Sequence, residues 1–381
     1  MRLLLVGDLI LDEPDPDCFF EPALSVLSSG DIVIGHVEVP HSNRGAMFST
    51  DVPARPADPD HLSALKRAGF SAVTLAGNHV ADAGPDGIED TVRGLRELGI
   101  CTAGAGSNLA EARRPAIVEA GGMRVGVLSY NCVGPRESWA RPSKPGCAYV
   151  NVLTHYELDH ASPGGPPNVY TFATPESLDE MRIDLAGLRQ QVDVVVVAFH
   201  KGLGHVRAQL GMYEREIARA AIDAGADIVI GHHAHLLRGI ELYKDRPIYH
   251  GLGNFVTVTR ALSTSNEETP EAAAWAKRRV ELFGFTPDPN MPTYPFNPES
   301  RHTIIADCEV DRDGTVHPGL VPCWIDDQAR PVPLGKEAGA DVVDYVSEIG
   351  REVGLTTRLR WSGDRVQVED GTPGVGAMAK T

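Results

Sequence analysis

The chain has 381 residues, of which 42% are hydrophobic, enough for one large domain or two smaller ones around a packed core. Its formal net charge of -17 at pH 7 argues against nucleic acid and anionic membrane as partners, since both would be repelled over most of the surface. Six scattered cysteines form no CxxC pair, so the sequence predicts neither a disulfide framework nor a zinc ribbon. The opening apolar run, residues 3–6, is too short for a signal peptide or a membrane span, and we therefore expect a cytoplasmic protein.

Short β-branched runs alternate with amphipathic helical runs through the first two thirds of the chain. This pattern is typical of an α/β sheet covered by helices. We predict strands at residues 3–6, 32–34, 72–75, 125–130, 194–199, 228–230 and 247–249. We predict helices at residues 61–68, 87–98, 175–190 and 213–223.

The remaining segments have less regular patterns. Residues 132–169 and 286–299 are irregular and contain proline with glycine or asparagine, which we interpret as loops or lids over a site. Residues 301–324 alternate in hydrophobicity around a turn at 311–314, which predicts two terminal strands. The predicted organisation is a core at residues 1–260, a helical and loop excursion at 261–300 that is a candidate lid, terminal strands and a helix at 301–362 that complete the same domain, and a disordered tail at 363–381.

Four predicted strands end on side chains that bind metals or move protons. In chain order these side chains are Asp8, then Asn78 with His79, then His200, then the cluster of His232, His233 and His235. Because the carboxyl ends of strands line the ligand crevice of open α/β sheets, we expect them to converge. A lone aspartate after a strand is more often a cap. Three imidazoles within four residues, however, are costly to crowd unless they share a cation, so the set predicts a metal site.

Several of these segments resemble the CapA group, the poly-γ-glutamate biosynthesis relatives of calcineurin-like metallophosphoesterases. The segments are residues 7–8, 75–79 with 82–84, 193–200, 227–235 and 252–255. The resemblance implies an α/β fold of the calcineurin-like metallophosphoesterase type, a four-layer α/β-β/α sandwich with metal at the strand ends. It also implies that His79 is an acid/base group oriented by Asp82. The metal ligands that it implies are Asp8, Glu38, Asn78, His200, His233 and His235.

Three positions depart from the pattern of that group. Ile10 stands where phosphoesterases of this fold have a histidine ligand, Glu38 with His36 beside it stands where they have a bridging aspartate, and Lys201 stands where the group has tryptophan. These changes argue against a two-metal phosphatase. We therefore expect one divalent ion per chain, Ca²⁺ or Mn²⁺, with Mg²⁺, Fe²⁺ or Zn²⁺ as alternatives.

The excess of imidazoles and carboxylates predicts proton transfer as the chemistry of the site. Two His/Asp pairs on opposite sides of a substrate carbon would remove a proton from one face and return one to the other. The sequence is similar to lasso-peptide epimerases of the MslH type, which implies a metal-dependent peptide epimerase that inverts the Cα of the C-terminal residue of a ribosomal precursor peptide. The predicted catalytic residues are His79, Asp82, His200 and Asp8.

A peptide substrate also needs groups that hold its terminal carboxylate. The candidates for substrate binding are His36, Lys201, His205 and Arg207. Two other functions fit the sequence. One is a metal-dependent hydrolase that cleaves a phosphoester or a γ-glutamyl amide. The other is a non-catalytic scaffold or export partner that keeps the metal for stability, against which the complete Gly-Asn-His motif at residues 77–79 argues.

Overall fold

The computed structural model describes residues 1–47, 54–261, 263 and 269–371. Its strands are β1 (Arg2–Leu11), β2 (Ile32–Val37), β3 (Ala72–Thr74), β4 (Cys101–Ala103), β5 (Ala105–Gly106), β6 (Ala116–Ala120), β7 (Met123–Asn131), β8 (Gly146–Cys147), β9 (Val152–Glu157), β10 (Asn168–Ala173), β11 (Val194–His200), β12 (Ile228–His232), β13 (Ile240–Tyr243), β14 (Arg246–Tyr249), β15 (Asn254–Val258), β16 (His302–Val310), β17 (Val316–His317), β18 (Gly319–Ile325), β19 (Pro331–Pro333), β20 (Arg358–Ser362) and β21 (Arg365–Glu369). Its α-helices are α1 (Asp17–Phe20), α2 (Leu24–Leu27), α3 (Ser63–Arg67), α4 (Gly84–Glu97), α5 (Leu109–Ala112), α6 (Pro175–Arg189), α7 (Met212–Asp223), α8 (Pro270–Phe283) and α9 (Ala340–Glu352). Short 3₁₀ turns lie at Glu21–Ala23, Pro59–Leu62, Arg136–Ser138 and Pro298–Arg301.

Two large sheets make up the centre of the molecule. The first has the strand order β20-β21-β18-β16-β1-β2-β3-β4, with β15 beside β1, β17 beside β16 and β19 beside β18. The second has the order β13-β14-β12-β11-β7-β6. In the first sheet β1, β2, β3 and β4 are parallel neighbours, and in the second β7, β11, β12 and β14 are parallel. The carboxyl ends of these strands therefore meet at one edge of each sheet.

Alternating side chains place the sheets in a four-layer sandwich. In β1, Leu4 packs with α3 and α4 on the outer face, whereas Leu3 and Leu5 pack towards the second sheet. In β11, Val194 and Val196 join the same inter-sheet core, and the intervening valines pack against α6 and α7. Successive residues of a strand face opposite sides, so each sheet contributes to an inner and an outer apolar layer. The predicted α/β-β/α sandwich of the calcineurin-like class is confirmed.

The predicted elements coincide with observed ones, but two predicted irregular segments contain strands. Residues 132–169 include β8 and β9, and β9 pairs with β10 as an antiparallel hairpin. The tail predicted from residue 363 is wrong for β21, which pairs with β20 and with β18. Residues 372–381 lie outside the described residues. Polar and charged residues alternate with short apolar ones in β20 and β21, a weak strand signal that composition alone does not reveal.

In the described part of the excursion between β15 and β16, α8 is followed by irregular backbone up to the turn at Pro298–Arg301. Phe283 at the end of α8, with Phe285 and Phe296 after it, packs around the ring of His205. The longest helix in the described ranges, α6, has 15 residues, and none of the helices there has the length and apolar character needed to cross a membrane.

A histidine outside the strand ends couples folding to pH. His41 is fully buried, its Nδ1 lies 3.1 Å from the Val39 carbonyl oxygen, and its backbone N–H donates to Thr91 Oγ1 at 2.8 Å. Burial lowers the pKa of His41 to about 4. An unfolded histidine titrates near pH 6.5, so between pH 6.5 and 4 the unfolded chain binds a proton that the folded chain does not. The free energy of unfolding therefore falls as the pH falls through this window.

We expect His41→Asn to lose this component of the pH dependence. The variant keeps an N–H group near the Val39 carbonyl but has no group that titrates in the window. From pH 7.5 to pH 4 the wild-type protein should lose about 3 kcal/mol more unfolding free energy than the variant, at about 1.4 kcal/mol per pKa unit. Urea unfolding of chelator-treated protein at both pH values measures this difference, and equal losses in the two proteins would contradict it.

Candidate metal centre

The first sheet supplies two carboxylates and one imidazole to the edge where its parallel strands end. Residues 2–5 of β1 pair with β16, and residues 8–11 of β1 pair with β15. Asp8 lies where this change of partner occurs. The change of partner needs a close approach of backbones, since a Cβ on Gly7 would lie 1.9 Å from the carbonyl oxygen of Gly253. His36 lies near the end of β2 opposite Asp8, and Glu38 follows that strand.

The second sheet supplies imidazoles from two adjacent strands. His200 ends β11 and His232 ends β12, and the two residues are register partners. The chain then turns through His233 and His235, which have φ values of 86° and 53°. A positive φ is strained for residues other than glycine and persists where the surroundings fix it, which is common at functional sites. The strained turn brings the His235 ring and the His233 backbone N–H to Asp8.

Asp8 is the centre of this group. Its Oδ1 lies 3.1 Å from His232 Nδ1, and its Oδ2 lies 3.6 Å from His235 Nδ1 and accepts the His233 backbone N–H at 3.3 Å. Among the described residues, two groups of three have ligand atoms that all lie within 4.8 Å of one another. One is Asp8, His36 and His200, and the other is Asp8, Glu38 and His235. We call them the inner triad and the outer triad. Each of the five residues is at most about a tenth exposed.

Neighbouring polar groups set the tautomers of two ligands in the inner triad. Asn78 Oδ1, which can only accept, lies 2.6 Å from His200 Nε2, so this nitrogen carries the proton and Nδ1 has the lone pair. Thr74 Oγ1 donates to the Gly35 carbonyl at 3.4 Å and lies 3.0 Å from His36 Nδ1, which leaves the lone pair of His36 on Nε2.

The two lone pairs of the inner triad converge beside a glycine. An ideal Cβ on Gly77 would lie 3.1 Å from His36 Nε2 and 3.5 Å from His200 Nδ1. The rings of His36 and His200 are 4.7 Å apart between centroids. A side chain at position 77 would therefore occupy the space towards which both nitrogens point, and glycine keeps it open.

In the absence of a cation, burial disfavours the charged forms of Asp8, His36 and His233. Burial, reinforced by the negative charge of Glu38, raises the pKa of Asp8 to about 7. Burial lowers the pKa of His36 to about 4 and that of His233 to about 3. His235 is the exception, because the carboxylate of Glu38, 3.4 Å from its Nε2, raises the pKa of His235 despite its burial. Neutral imidazoles with lone pairs are the form that binds metal.

The buried polar atoms fit a divalent cation. Within the described residues, these buried atoms of the cluster lack a hydrogen-bond partner: Asp8 Oδ1, His36 Nε2, both Glu38 carboxylate oxygens, His200 Nδ1, both His232 ring nitrogens and His233 Nδ1. Buried polar groups are almost always hydrogen bonded, and leaving them unpaired costs about 1–3 kcal/mol each. The carboxylate oxygens and one nitrogen of each neutral imidazole are acceptors, so a cation bound at the triads would satisfy several of these atoms. Asp8, Glu38, His36 and His200 with His233 and His235 would hold it.

His79 and Asp82 form a separate pair beside the ligands. His79 Nδ1 donates to Asp82 Oδ2 at 2.7 Å, so any proton that His79 exchanges with a substrate passes through Nε2. The two residues line a cavity of about 40 Å³ together with Glu38 and His235 of the outer triad. Ile10, at the position of the missing histidine ligand, also lines it. The arrangement places a histidine–carboxylate pair and candidate metal ligands around one small space.

Two predicted substrate-binding residues lie away from this space. The Lys201 side chain is fully buried, and its ammonium contacts Glu214 Oε2 at 3.0 Å and His250 Nδ1 at 3.3 Å. Arg207 binds carboxylates near and on α9, namely Glu299, Glu348 and Glu352. Substrate binding by Lys201 and Arg207 stays a prediction, which the carboxylate partners of both cations do not favour.

The other two predicted substrate-binding residues contact candidate ligands instead. His36 is 1% exposed and belongs to the inner triad. The ring of His205 stacks on that of His235 at 5.1 Å, and its Nε2 lies 3.1 Å from Arg279 Nη2. Neither ring lines the cavity. Their position favours roles in building the metal centre over contact with a substrate.

Two residues that contact the site have no assigned role in the prediction from sequence. His232 stacks on His36 at 4.7 Å and touches Asp8, although it was only a member of the histidine cluster in the sequence. Asn254 Oδ1 lies 2.8 Å from His235 Nδ1, and its amide nitrogen donates to Tyr294. The Gly-Asn pair at residues 253–254 was the available signal for Asn254, because it follows an apolar strand and precedes another.

The buried pair of Lys201 and Glu214 supports a prediction on stability. Burial opposes ionisation of Glu214, but the neighbouring ammonium of Lys201 keeps the pKa of Glu214 below its usual value. Lys201→Met leaves this carboxylate buried without its cation, so we expect a loss of about 3–5 kcal/mol in unfolding free energy. The double variant Lys201→Met/Glu214→Gln should recover most of the loss. Urea unfolding measures both, and a single variant as stable as the wild-type protein would contradict the prediction.

A family model and several known proteins match this chain. The family model described as "Bacterial capsule synthesis protein PGA_cap" matches residues 2–259. The chain is 28% identical over 272 residues to the capsule biosynthesis protein CapA of Bacillus anthracis, covering 67% of this chain and 59% of that protein. It is 26% identical over 261 residues to the PGA biosynthesis protein CapA of Bacillus subtilis, covering 66% and 62%. The matched region thus spans about three fifths of the length of these relatives.

Solved structures with a similar arrangement are more distant. A putative 5'-nucleotidase from Staphylococcus aureus has a TM-score of 0.42 at 13% identity and covers 91% of this chain and 58% of that one. The calcineurin-like phosphoesterase YfkN from Bacillus subtilis has a TM-score of 0.39 at 12% identity and covers 93% and 97%. The family match includes every residue of both triads and the His79–Asp82 pair. The chain belongs to the bacterial capsule synthesis protein family, PGA_cap.

Proposed function

We propose that this protein is a metal-dependent hydrolase that cleaves a γ-glutamyl amide or a phosphoester. The observation that carries the proposal is the shared cavity, in which the His79–Asp82 pair faces Glu38 and His235 of the outer triad. Hydrolysis needs a centre that activates water and a proton donor for the leaving group, and these two sets of residues suit the two tasks. The relatives favour the γ-glutamyl amide over the phosphoester, because two of them carry names that refer to capsule or PGA biosynthesis.

The residues of the site have separate roles in this reaction. When bound, a divalent ion supplies Lewis acidity that polarises the bond under attack and lowers the pKa of water. Its ligands would be the two carboxylates and the surrounding imidazoles, a mixed donor set that favours Mn²⁺, Fe²⁺ or Zn²⁺ over Ca²⁺ or Mg²⁺. His79 gives a proton from Nε2 to the leaving nitrogen or oxygen. Asp82 holds the His79 ring through its Nδ1–H and stabilises the charged imidazole before transfer.

A second candidate is a metal-dependent epimerase that inverts the C-terminal residue of a lasso precursor peptide. The cavity wall favours it, because Ile10 replaces a ligand by an apolar side chain and Val39 and Phe296 continue that surface. A peptide side chain would fit such a wall. One base would take the Cα proton, the electron pair would move into the neighbouring carbonyl, and a second acid would return a proton to the opposite face. The His79–Asp82 pair provides one of these two groups.

Isotope labelling separates the two reactions. The Mn²⁺-loaded protein is incubated in H₂¹⁸O with a γ-glutamyl anilide or a phosphodiester chromogen, and in D₂O with a precursor peptide. One ¹⁸O atom per cleaved bond supports hydrolysis. Deuterium at Cα without cleavage supports epimerisation instead. Absence of both labels with protein that holds its ion would contradict both reactions and favour a scaffold that keeps the metal for stability.

A further inference from the structure

The cavity beside the metal centre has a cation at its rim that the reaction does not use. Its polar wall includes Asp12, Glu38, His79, Asp82, His235 and Thr259. Its apolar wall includes Ile10, Val39 and Phe296, and Arg55 also lines it. The space of about 40 Å³ holds about three water molecules, at roughly 10–15 Å³ each. A planar group of three heavy atoms, such as a carboxylate, has a similar size.

The carboxylates that line the same cavity are already engaged. Asp82 accepts from His79 at 2.7 Å, and Glu38 lies 3.4 Å from His235. Asp12 accepts from the hydroxyl of Thr259 at 2.8 Å. These three carboxylates have other partners and are therefore not paired with Arg55.

Within the part of the chain that the structure describes, Arg55 has no such partner. Its side chain is exposed, and among residues 1–47, 54–261, 263 and 269–371 no ion pair or hydrogen bond involves its guanidinium. Arg260, by contrast, forms an ion pair in which its Nε lies 3.2 Å from Glu13 Oε2. The chain carries 52 acidic residues against 35 basic ones, and three carboxylates line this cavity, yet within the described residues none of them pairs with Arg55.

We propose that Arg55 binds an oxyanion of the substrate, a carboxylate or a phosphate, while the adjoining bond reaches the metal centre. The proposal rests on the proposed function, because it places the substrate in the same cavity. A guanidinium presents paired N–H donors that match two oxygens of a carboxylate or phosphate. The apolar wall beside Arg55 then receives the non-polar part of the same molecule. The substrate class is thus an anion whose charged group lies close to the bond that reacts.

Binding measurements that need no turnover test the role of Arg55. Isothermal titration of the Mn²⁺-loaded protein is carried out with an acetylated Gly-Gly-phenylalanine peptide as the free acid, with its C-terminal amide, and with inorganic phosphate. We expect the wild-type protein to bind the free acid at least about tenfold more tightly than the amide, and Arg55→Ala to lose this preference. Arg55→Lys should retain part of it, since a lysine keeps the charge without the paired donors.

Arg312→Ala is the matched control. Arg312 is exposed in the turn before β17, far from the lining residues of the cavity, and should leave the preference unchanged. Stronger binding of phosphate than of the free acid, again lost in Arg55→Ala, would identify phosphate as the oxyanion. An unchanged preference in Arg55→Ala, or a wild-type protein that binds neither anion, would overturn the proposal. If no ¹⁸O is incorporated but the preference for the free acid still depends on Arg55, the result contradicts hydrolysis and leaves the anion-binding role of Arg55 supported.

Discussion

Asp8→Asn is expected to abolish divalent-ion binding while the ion-free protein stays folded. Asp8 is the one residue that both triads share, so its loss removes a charged ligand from each. Asparagine has the same shape but only one acceptor oxygen and no charge. We expect the ion affinity to fall by more than about 100-fold, because even outer groups around a metal contribute about 10–100-fold. Metal analysis after dialysis against a fixed low concentration of Mn²⁺ measures this loss.

The stability of the ion-free variant separates ligand loss from misfolding. Burial raises the pKa of Asp8 to about 7, so the ionised carboxylate costs folding free energy when no cation is present. Asparagine removes that cost, and chelator-treated Asp8→Asn should melt at the same temperature as the wild-type protein or higher. Added Mn²⁺ should raise the melting temperature of the wild-type protein only.

Asp12→Asn is the control for this experiment. Asp12 follows β1 directly and belongs to neither triad, so its variant should keep the ion content of the wild-type protein. An Asp8→Asn protein that retains a full complement of ion would contradict the assignment of Asp8 as the shared ligand.

His79→Ala is expected to lower kcat by about 10²–10⁴-fold with little change in ion content. This range is typical for loss of a group that transfers a proton in the transition state. His79 belongs to neither triad, and its Nδ1 contact goes to Asp82. Asp82→Asn should lower kcat less, since the ring of His79 keeps a hydrogen-bond acceptor but loses the charge that stabilises its protonated form.

The measurement uses whichever probe the labelling experiment shows to react. His155→Ala is the matched control, because His155 is exposed on β9 and should leave kcat unchanged. A His79→Ala protein with wild-type kcat and a full ion content would exclude His79 as the acid/base group. Loss of ion together with activity would instead make His79 part of the metal centre.

The sequence was sufficient to locate the strand ends but not to orient every side chain on them. Asp8, His200, His233 and His235 each follow an apolar run, and this pattern is visible without any structure. Lys201 follows the same run as His200, yet successive residues of an extended chain face opposite sides. The ring of His200 therefore faces the ligands, while the ammonium of Lys201 enters the interior beside α7.

Contacts between distant parts of the chain account for the other differences. Arg207 looked available for a substrate because its partners, such as Glu348, lie more than 90 residues later. The β9–β10 hairpin is a local pairing, but a connection containing glycine and proline separates its two strands, whose mixed polarity hides the strand pattern. Partners such as those of Arg207 follow from packing, which periodicity within one segment does not encode.

The candidate ligands of the metal centre lie on strands of both sheets and on the segments that follow them, separated by as many as 227 positions between Asp8 and His235. An ion that binds only this assembled edge stabilises the folded chain by mass action, by about 4 kcal/mol when its free concentration is 1,000 times the dissociation constant. Cellular metal supply would then set how long the protein survives degradation as well as how much of it is active. A cell depleted of the preferred ion would hold fewer copies of this protein, even with unchanged transcription and translation.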